Sequence, residues 1–115
     1  MYMRITIGRI KSGMWDDFEL AYKRYVEHYS GSRGLRARWL VRSATDSNIG
    51  FMISLWETLP DMERYERSDA VKRQILPHMA PYLDGVTTAH HCEVRGPDPL
   101  SPGSLTALFS SSEPN

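Results

Sequence analysis

The chain has 115 residues, 41% of them apolar and 24% charged, the balance of an ordinary globular protein of one domain and far from that of a disordered chain. Fourteen Lys and Arg offset fourteen Asp and Glu; a nucleic-acid binder of this size carries a clear basic excess, so no nucleic-acid partner is expected. The single Cys92 excludes an internal disulfide and a cysteine-based zinc site, and no apolar run approaches the roughly 18 residues of a membrane span, so a cytoplasmic protein with no membrane partner is expected.

Met3, Ile5 and Ile7 alternate with Arg4, Thr6 and Gly8, a period of two that predicts a strand. Lys11-Ser12-Gly13 breaks it. From Met14 the period lengthens, and Trp15, Phe18, Tyr22, Tyr25, Val26 and Tyr29 fall on one helical stripe. Asp16, Asp17 and Glu19 sit where the helix dipole favours acids, and Ser30-Gly31-Ser32 ends the helix. Leu35, Ala37, Trp39 and Val41 then alternate with Arg36, Arg38, Leu40 and Arg42 as a second strand. After the turn cluster Thr45-Asp46-Ser47-Asn48, residues 49–56 read as a third strand. Ile49, Phe51, Ile53 and Leu55 point one way, and Met52, Ser54 and Trp56 the other. Both sides are largely apolar, which predicts a central strand covered on both faces.

Thr58-Leu59-Pro60-Asp61 has the cap, first-turn proline and acid of a helix start. Ser68-Asp69 reads as a second cap, before a helix through Ala70, Val71, Ile75 and His78 that Pro77 kinks or ends. Residues 86–94 predict a fourth strand, with Val86, Thr88, His90, Cys92 and Val94 on one face. Prolines and serines then accumulate. Residues 1–95 are expected to form the domain and residues 96–115 a tail, either disordered or, since Leu100, Leu105, Leu108 and Phe109 are apolar, lying along a partner subunit.

The order strand, helix, strand, strand, helix, strand predicts an α+β, ferredoxin-like βαββαβ fold: a four-stranded antiparallel sheet in order 4-1-3-2 with both helices on one face. The bare face presents either Met52, Trp56, Leu40, Ile10 and Cys92 or the set of opposite parity. Either choice exposes large side chains, and the simplest cover is a second copy, giving a homodimer.

The opening strand with Lys11-Ser12-Gly13 before a helix containing Phe18, the strand ending Leu55-Trp56-Glu57, and the following acidic and aromatic helix with Tyr65 and Ser68 resemble the antibiotic-biosynthesis monooxygenase family of dimeric α/β barrels. The resemblance runs from residue 3 to about residue 95. It implies a homodimer with one pocket per subunit between helices and sheet. The family's oxygenases use no metal, haem or flavin, and oxidise phenols or quinols with dioxygen through the substrate's own carbanion. Trp56 matches the family tryptophan. Met52 stands where the quinone-forming members tend to carry an asparagine. Gly8 and Ile75 stand near the positions where the haem-degrading branch carries its asparagine and histidine, so that branch does not fit.

Three residues are candidates for catalysis. Trp56 is either core or a pocket wall that stacks on a planar substrate and offers its indole N–H to an oxygen. Tyr65, nine residues on, either packs or orients a phenol. His78, in an irregular turn between Pro77 and Pro81, is either structural or the base that takes a phenolic proton. His90 and His91, adjacent on a strand, point to opposite faces and cannot share a metal. Arg36, Arg38 and Arg42 form a solvated edge, intersubunit salt bridges or a cationic rim that stabilises a phenolate. No phosphate loop, dinucleotide fingerprint or nucleophile elbow is present. The expectation is a cofactor-independent monooxygenase, without metal, acting on a small aromatic hydroxyl compound; the alternative is a non-catalytic dimer that binds a small ligand or serves as an interaction module.

Overall fold

A computed structural model describes residues 1–27, 29 and 31–96. Of the tail expected at residues 96–115, all but Gly96 lies outside the described residues, as do His28 and Ser30.

Four strands form one antiparallel sheet: β1 (Tyr2–Arg9), β2 (Leu35–Arg42), β3 (Ile49–Trp56) and β4 (Thr88–Glu93), in the order β2-β3-β1-β4. This is the expected ferredoxin-like order, with the more apolar β1 and β3 at the centre. Helix α1 (Trp15–Glu27) follows β1, with Asp16 and Asp17 in its first turn, and α2 (Leu59–Glu66) follows β3. Thr58 caps α2: its hydroxyl accepts from the Asp61 N–H at 3.2 Å and donates to the Asp61 carboxylate at 2.7 Å. The turn before β2 packs hard against this cap. Gly34 has φ +80°, and a Cβ there would lie 2.3 Å from an Asp61 carboxylate oxygen, so only glycine fits.

After α2 the backbone departs from the expected plain helix. Residues Ala70–Ile75 form a π-helical turn, and the Leu76 N–H reaches back to the Val71 carbonyl. A four-residue helix α3 (Leu76–Met79) and a 3₁₀ turn (Ala80–Tyr82) complete the stretch. Pro77 does not end it. Pro77 occupies the first turn of α3, where its missing N–H costs little, and the widened turn before it absorbs the change of hydrogen-bond spacing. The fourth strand is shorter than expected. Thr88 opens it, and Val86 is 93% exposed with no strand partner.

The helices cover one face of the sheet, and β-strand alternation decides what each face carries. The register sets Arg4 beside Ser54, Thr6 beside Met52 and Gly8 beside Gly50. These residues share the helix side with Arg38, Leu40 and Trp56. Met3, Ile5, Ile7, Trp39, Val41, Phe51 and Ile53 share the open side, where they are half-buried or exposed. The sequence left the parity undecided; the structure places the second set outward, although Leu55 of that set is buried, and keeps Ile10 and Trp56 inside. Cys92, expected on the side of Met52 and Trp56, instead pairs with Met3 on the open side, because β4 is in register with β1 at that position. The main core cluster (Ile10, Phe18, Ala21, Val26, Val71, Ile75 and Met79) lies almost wholly within the helical layer.

Candidate functional site

A cavity of about 70 Å³ lies between the helix side of the sheet and the helical layer. Trp56 forms part of its wall and is 0% exposed, because β3 ends beneath α2. Tyr65 comes off α2 onto it, with ring centroids 5.0 Å apart and planes tilted by 40°. Tyr22 of α1, Met52 of β3, and Val71, Ile75 and Met79 of the last helical stretch close the remaining apolar wall, and Leu76, 47% exposed, stands at its edge.

The polar part of the lining is carried by the strands. Arg4 and Thr6 project from β1, Arg38 from β2 and Ser54 from β3. The cross-strand register puts Arg38, Ser54, Arg4 and His91 in one row across all four strands. Glu66, the last residue of α2, descends onto this row. Its Oε2 accepts from Arg4 Nε at 2.7 Å and lies 2.7 Å from His91 Nε2. Arg4 Nη1 donates to the buried Thr6 hydroxyl at 2.8 Å. Burial alone raises the Glu66 carboxyl, but the hydrogen bonds and charges of Arg4 and His91 outweigh it and hold the group below its ordinary value. Arg38 Nη1 donates to the Val26 carbonyl at the C-terminal end of α1, where a cation suits the helix dipole.

The two cavity phenols are held neutral. Burial pushes Tyr22 up to about 12, against the pull of the Arg38 charge. Burial also raises Tyr65, opposed by Arg38 and Arg4. Both are therefore hydrogen-bond donors rather than bases at neutral pH.

Of the three candidates, the structure brings Trp56 and Tyr65 together at the cavity and does not bring His78 there. His78 stacks on Tyr25 with centroids 4.0 Å apart, and its Nδ1 hydrogen-bonds the Gln74 carbonyl. It is half-buried against α1, while Val71, Ile75 and Met79 of the same stretch line the cavity. The indole N–H of Trp56 is already spent: it donates to Ser54 Oγ at 2.9 Å. What reaches the cavity is then the Ser54 hydroxyl, free to donate onward. The expected cationic rim reduces to one residue of its three. Arg36 pairs with Glu57, and Arg42 lies 4.8 Å from the Trp15 ring and donates to the Ser47 carbonyl. Only Arg38 lines the cavity.

Sequence reasoning missed Arg4, Thr6, Tyr22 and Ser54. The available signal was the parity of β1 and β3: Arg4 and Thr6 alternate with Met3, Ile5 and Ile7, and it is their side that faces the helices. His90 and His91 do point to opposite faces, since His90 pairs with Ile5 and His91 with Arg4. Among the described residues no cluster of three His, Cys, Asp or Glu could hold a metal, and no helix is long and apolar enough to cross a membrane.

Residues 1–75 match the family model described as "Antibiotic biosynthesis monooxygenase". Comparison with curated proteins gives no match. Among solved structures, a conserved protein from Methanosarcina mazei Go1 superposes with a TM-score of 0.72 at 19% identity, over 83% of this chain and 94% of that one. SnoaB, a cofactor-independent oxygenase from Streptomyces nogalater, superposes with a TM-score of 0.66 at 15% identity, over 84% of this chain and 94% of that one. At these identities the likeness to the solved structures is one of fold.

Proposed function

The chain belongs to the antibiotic biosynthesis monooxygenase family, and on that premise we propose that it is a cofactor-independent oxygenase acting on a small aromatic hydroxyl compound. The observation that carries this reading is an aromatic-walled cavity with guanidinium groups on its strand side. SnoaB, which shares the fold, is a cofactor-independent oxygenase.

The aromatic ring lies against Trp56 and Tyr65, and its hydroxyl points to the row Arg38, Ser54, Arg4. No imidazole or carboxylate lines the cavity among the described residues. Ionisation is therefore driven by the guanidinium charges, which stabilise the oxyanion in a site of low dielectric. The electron-rich anion reacts with dioxygen while the apolar canopy excludes water. For a phenol whose keto tautomer carries a CH₂ group, the balance closes without a reductant. One oxygen atom becomes the new carbonyl, and the other leaves as water with the two hydrogens of that carbon. Trp56 and Tyr65 orient the ring; Arg38 and Arg4 hold the charge.

The cavity of about 70 Å³ is smaller than the roughly 150 Å³ that admits benzene in an engineered apolar core, so a ligand enters only by displacing wall side chains. Leu76 and Tyr65, at the edge and on a short helix, are the ones to move. Small volume and the lack of a base in the lining favour the second reading, a non-catalytic ligand-binding member of the same fold. Oxygen-electrode assays with anthrones and quinols test the two. Consumption of one O₂ per substrate in metal-free buffer supports the oxygenase; binding without consumption supports the second.

The open face of the sheet supports a homodimer. Its apolar side chains, from Met3 to Ile53, form a contiguous surface that a second copy covers face to face, and such an interface buries roughly 1,200–2,000 Å².

A further inference from the structure

We propose that the cavity selects a ligand carrying a carboxylate, seated over Ser54 and held by the Arg38 guanidinium. This rests on the reading of the cavity as a ligand site. In the row Arg38, Ser54, Arg4, His91, neighbouring strands stand about 4.8 Å apart, so the two arginines flank Ser54 across roughly 10 Å of sheet. The counter-charge is unevenly placed. Glu66 Oε2 is shared between Arg4 and His91, at 2.7 Å from each. Arg4 gives a further N–H to Thr6. Nothing of the kind serves Arg38. Its one hydrogen bond goes to the neutral Val26 carbonyl, and no carboxylate among the described residues lies within ion-pair distance of it. Two carboxylates share the outer groove with Arg38: Glu19 is taken by Lys23, and Glu27 makes no ion pair with Arg38.

A guanidinium has five N–H donors in a planar fork. A single carbonyl uses one of them and leaves the charge in place. Half-buried beside an apolar cavity, that charge attracts an anion. Its field already reaches both cavity phenols, pulling the Tyr22 and Tyr65 hydroxyls down against burial. The Ser54 hydroxyl accepts from Trp56 and so has its own proton to give. Arg38 and Ser54 are cross-strand neighbours that both line the cavity, and their remaining N–H and O–H donors suit the lone pairs of a carboxylate, which is charged at neutral pH without help from the protein. A neutral phenol satisfies one donor at most. The favoured substrate class is therefore an aromatic hydroxy acid, with its ring against Trp56 and Tyr65.

Calorimetric titration of the full chain with salicylate and with salicylamide, near neutral pH and low salt, tests this. The two probes share ring, hydroxyl and shape and differ in charge. Salicylate is expected to bind about 10–100-fold more tightly, the span of a charge-assisted hydrogen bond. Arg38→Met, which keeps the apolar stem, should reduce that preference to about 2-fold, weakening salicylate far more than salicylamide. Arg38→Lys keeps the charge and loses the fork, and should retain a few-fold preference; it serves if Arg38→Met does not fold. Equal binding of the two probes overturns the anion inference and leaves the cavity as a ligand site. Failure of both to bind at millimolar concentration overturns both. A preference that persists in Arg38→Met overturns the assignment to Arg38.

Discussion

On the helix side of the sheet, β1 and β3 present Arg4, Thr6, Ser54 and Trp56; on the open side the same two strands present Ile5, Ile7, Phe51 and Ile53. In a two-layer domain the apolar parity ordinarily faces the helices. Here the polar parity does. The helical layer satisfies itself: Phe18, Val26, Val71, Ile75 and Met79 pack on one another, with Ile10 the main contribution from the strand side. That leaves space above the sheet, and the space is lined with hydrogen-bonding groups. The open side has the opposite character, apolar and uncovered in the single chain. An inverted sheet of this kind would keep the two proposed tasks apart, ligand binding under the helices and association on the bare face.

The largest expected effect comes from breaking the bare face. Ile53→Asp puts a charge at the centre of β3 on that side. Burying it unpaired costs about 3–5 kcal/mol, which converts the dimer to monomer at micromolar concentration in sedimentation velocity. A wild-type monomer at the same concentration would remove the association half of the comparison.

Truncation on the two sides sharpens the contrast. Phe18, 0% exposed in the helical layer, should lose about 3–5 kcal/mol of stability as Phe18→Ala, at any protein concentration. Phe51→Ala on the bare face should cost an amount that grows with protein concentration, because in the proposed dimer its contacts lie between subunits. Urea melts at 1 and 50 µM, roughly spanning the dimerisation range of a standard interface, read this directly. A concentration-independent loss at Phe51 contradicts it.

Trp56→Phe keeps most of the ring volume and removes the N–H that holds Ser54. Stability should fall by about 1–3 kcal/mol. Ligand affinity or turnover per folded molecule should fall as well, since the Ser54 hydroxyl loses its orientation. Unchanged turnover would leave Trp56 as packing alone.

Glu66 links the cavity to acid pH. Its folded carboxyl lies below the unfolded value, so its contribution is present above the ordinary glutamate range near 4.3 and is lost as pH falls through the lower folded value. Being partly exposed, it is worth about 1 kcal/mol. Glu66→Gln should lower stability by that amount at pH 7 and flatten the acid limb of the pH–stability curve. A variant with an unchanged acid limb would show that Arg4 and His91 do not depend on it.

The smallest effect at neutral pH belongs to Tyr22. Burial pushes its hydroxyl up from 10.0 to about 12. The stability it confers is complete below pH 10 and is lost progressively between 10 and 12. Absorbance titration at alkaline pH should show one phenol ionising last, and Tyr22→Phe should abolish that step.

Much of this was legible in the sequence. The bounds of β2 and β3 follow from period-two alternation between clear turn signals, and the Thr58 cap with Pro60 and Asp61 locates the start of α2. Trp56 and Tyr65 were legible as a pair because a strand that ends in a cap must fold its helix back over its own end. His78 was misplaced relative to the cavity because periodicity gives the face of a helix but not which neighbour that face meets, and His78 meets Tyr25 of α1. Arg4 was passed over because a charged residue in an alternating strand has the same pattern whether it meets water or a cavity.

The sequence by itself determined the elements, their order and the sheet they form, because these depend on local periodicity, caps and the few topologies open to βαββαβ. The tertiary structure alone decided which parity lies under the helices. Alternation divides a strand into two sides but carries no sign; the sign comes from the hand of the crossovers and from the apolar area the helices keep for one another. That choice set Arg38, Ser54, Arg4 and His91 in one row beneath α2 and turned an ordinary amphipathic strand into the polar wall of a cavity.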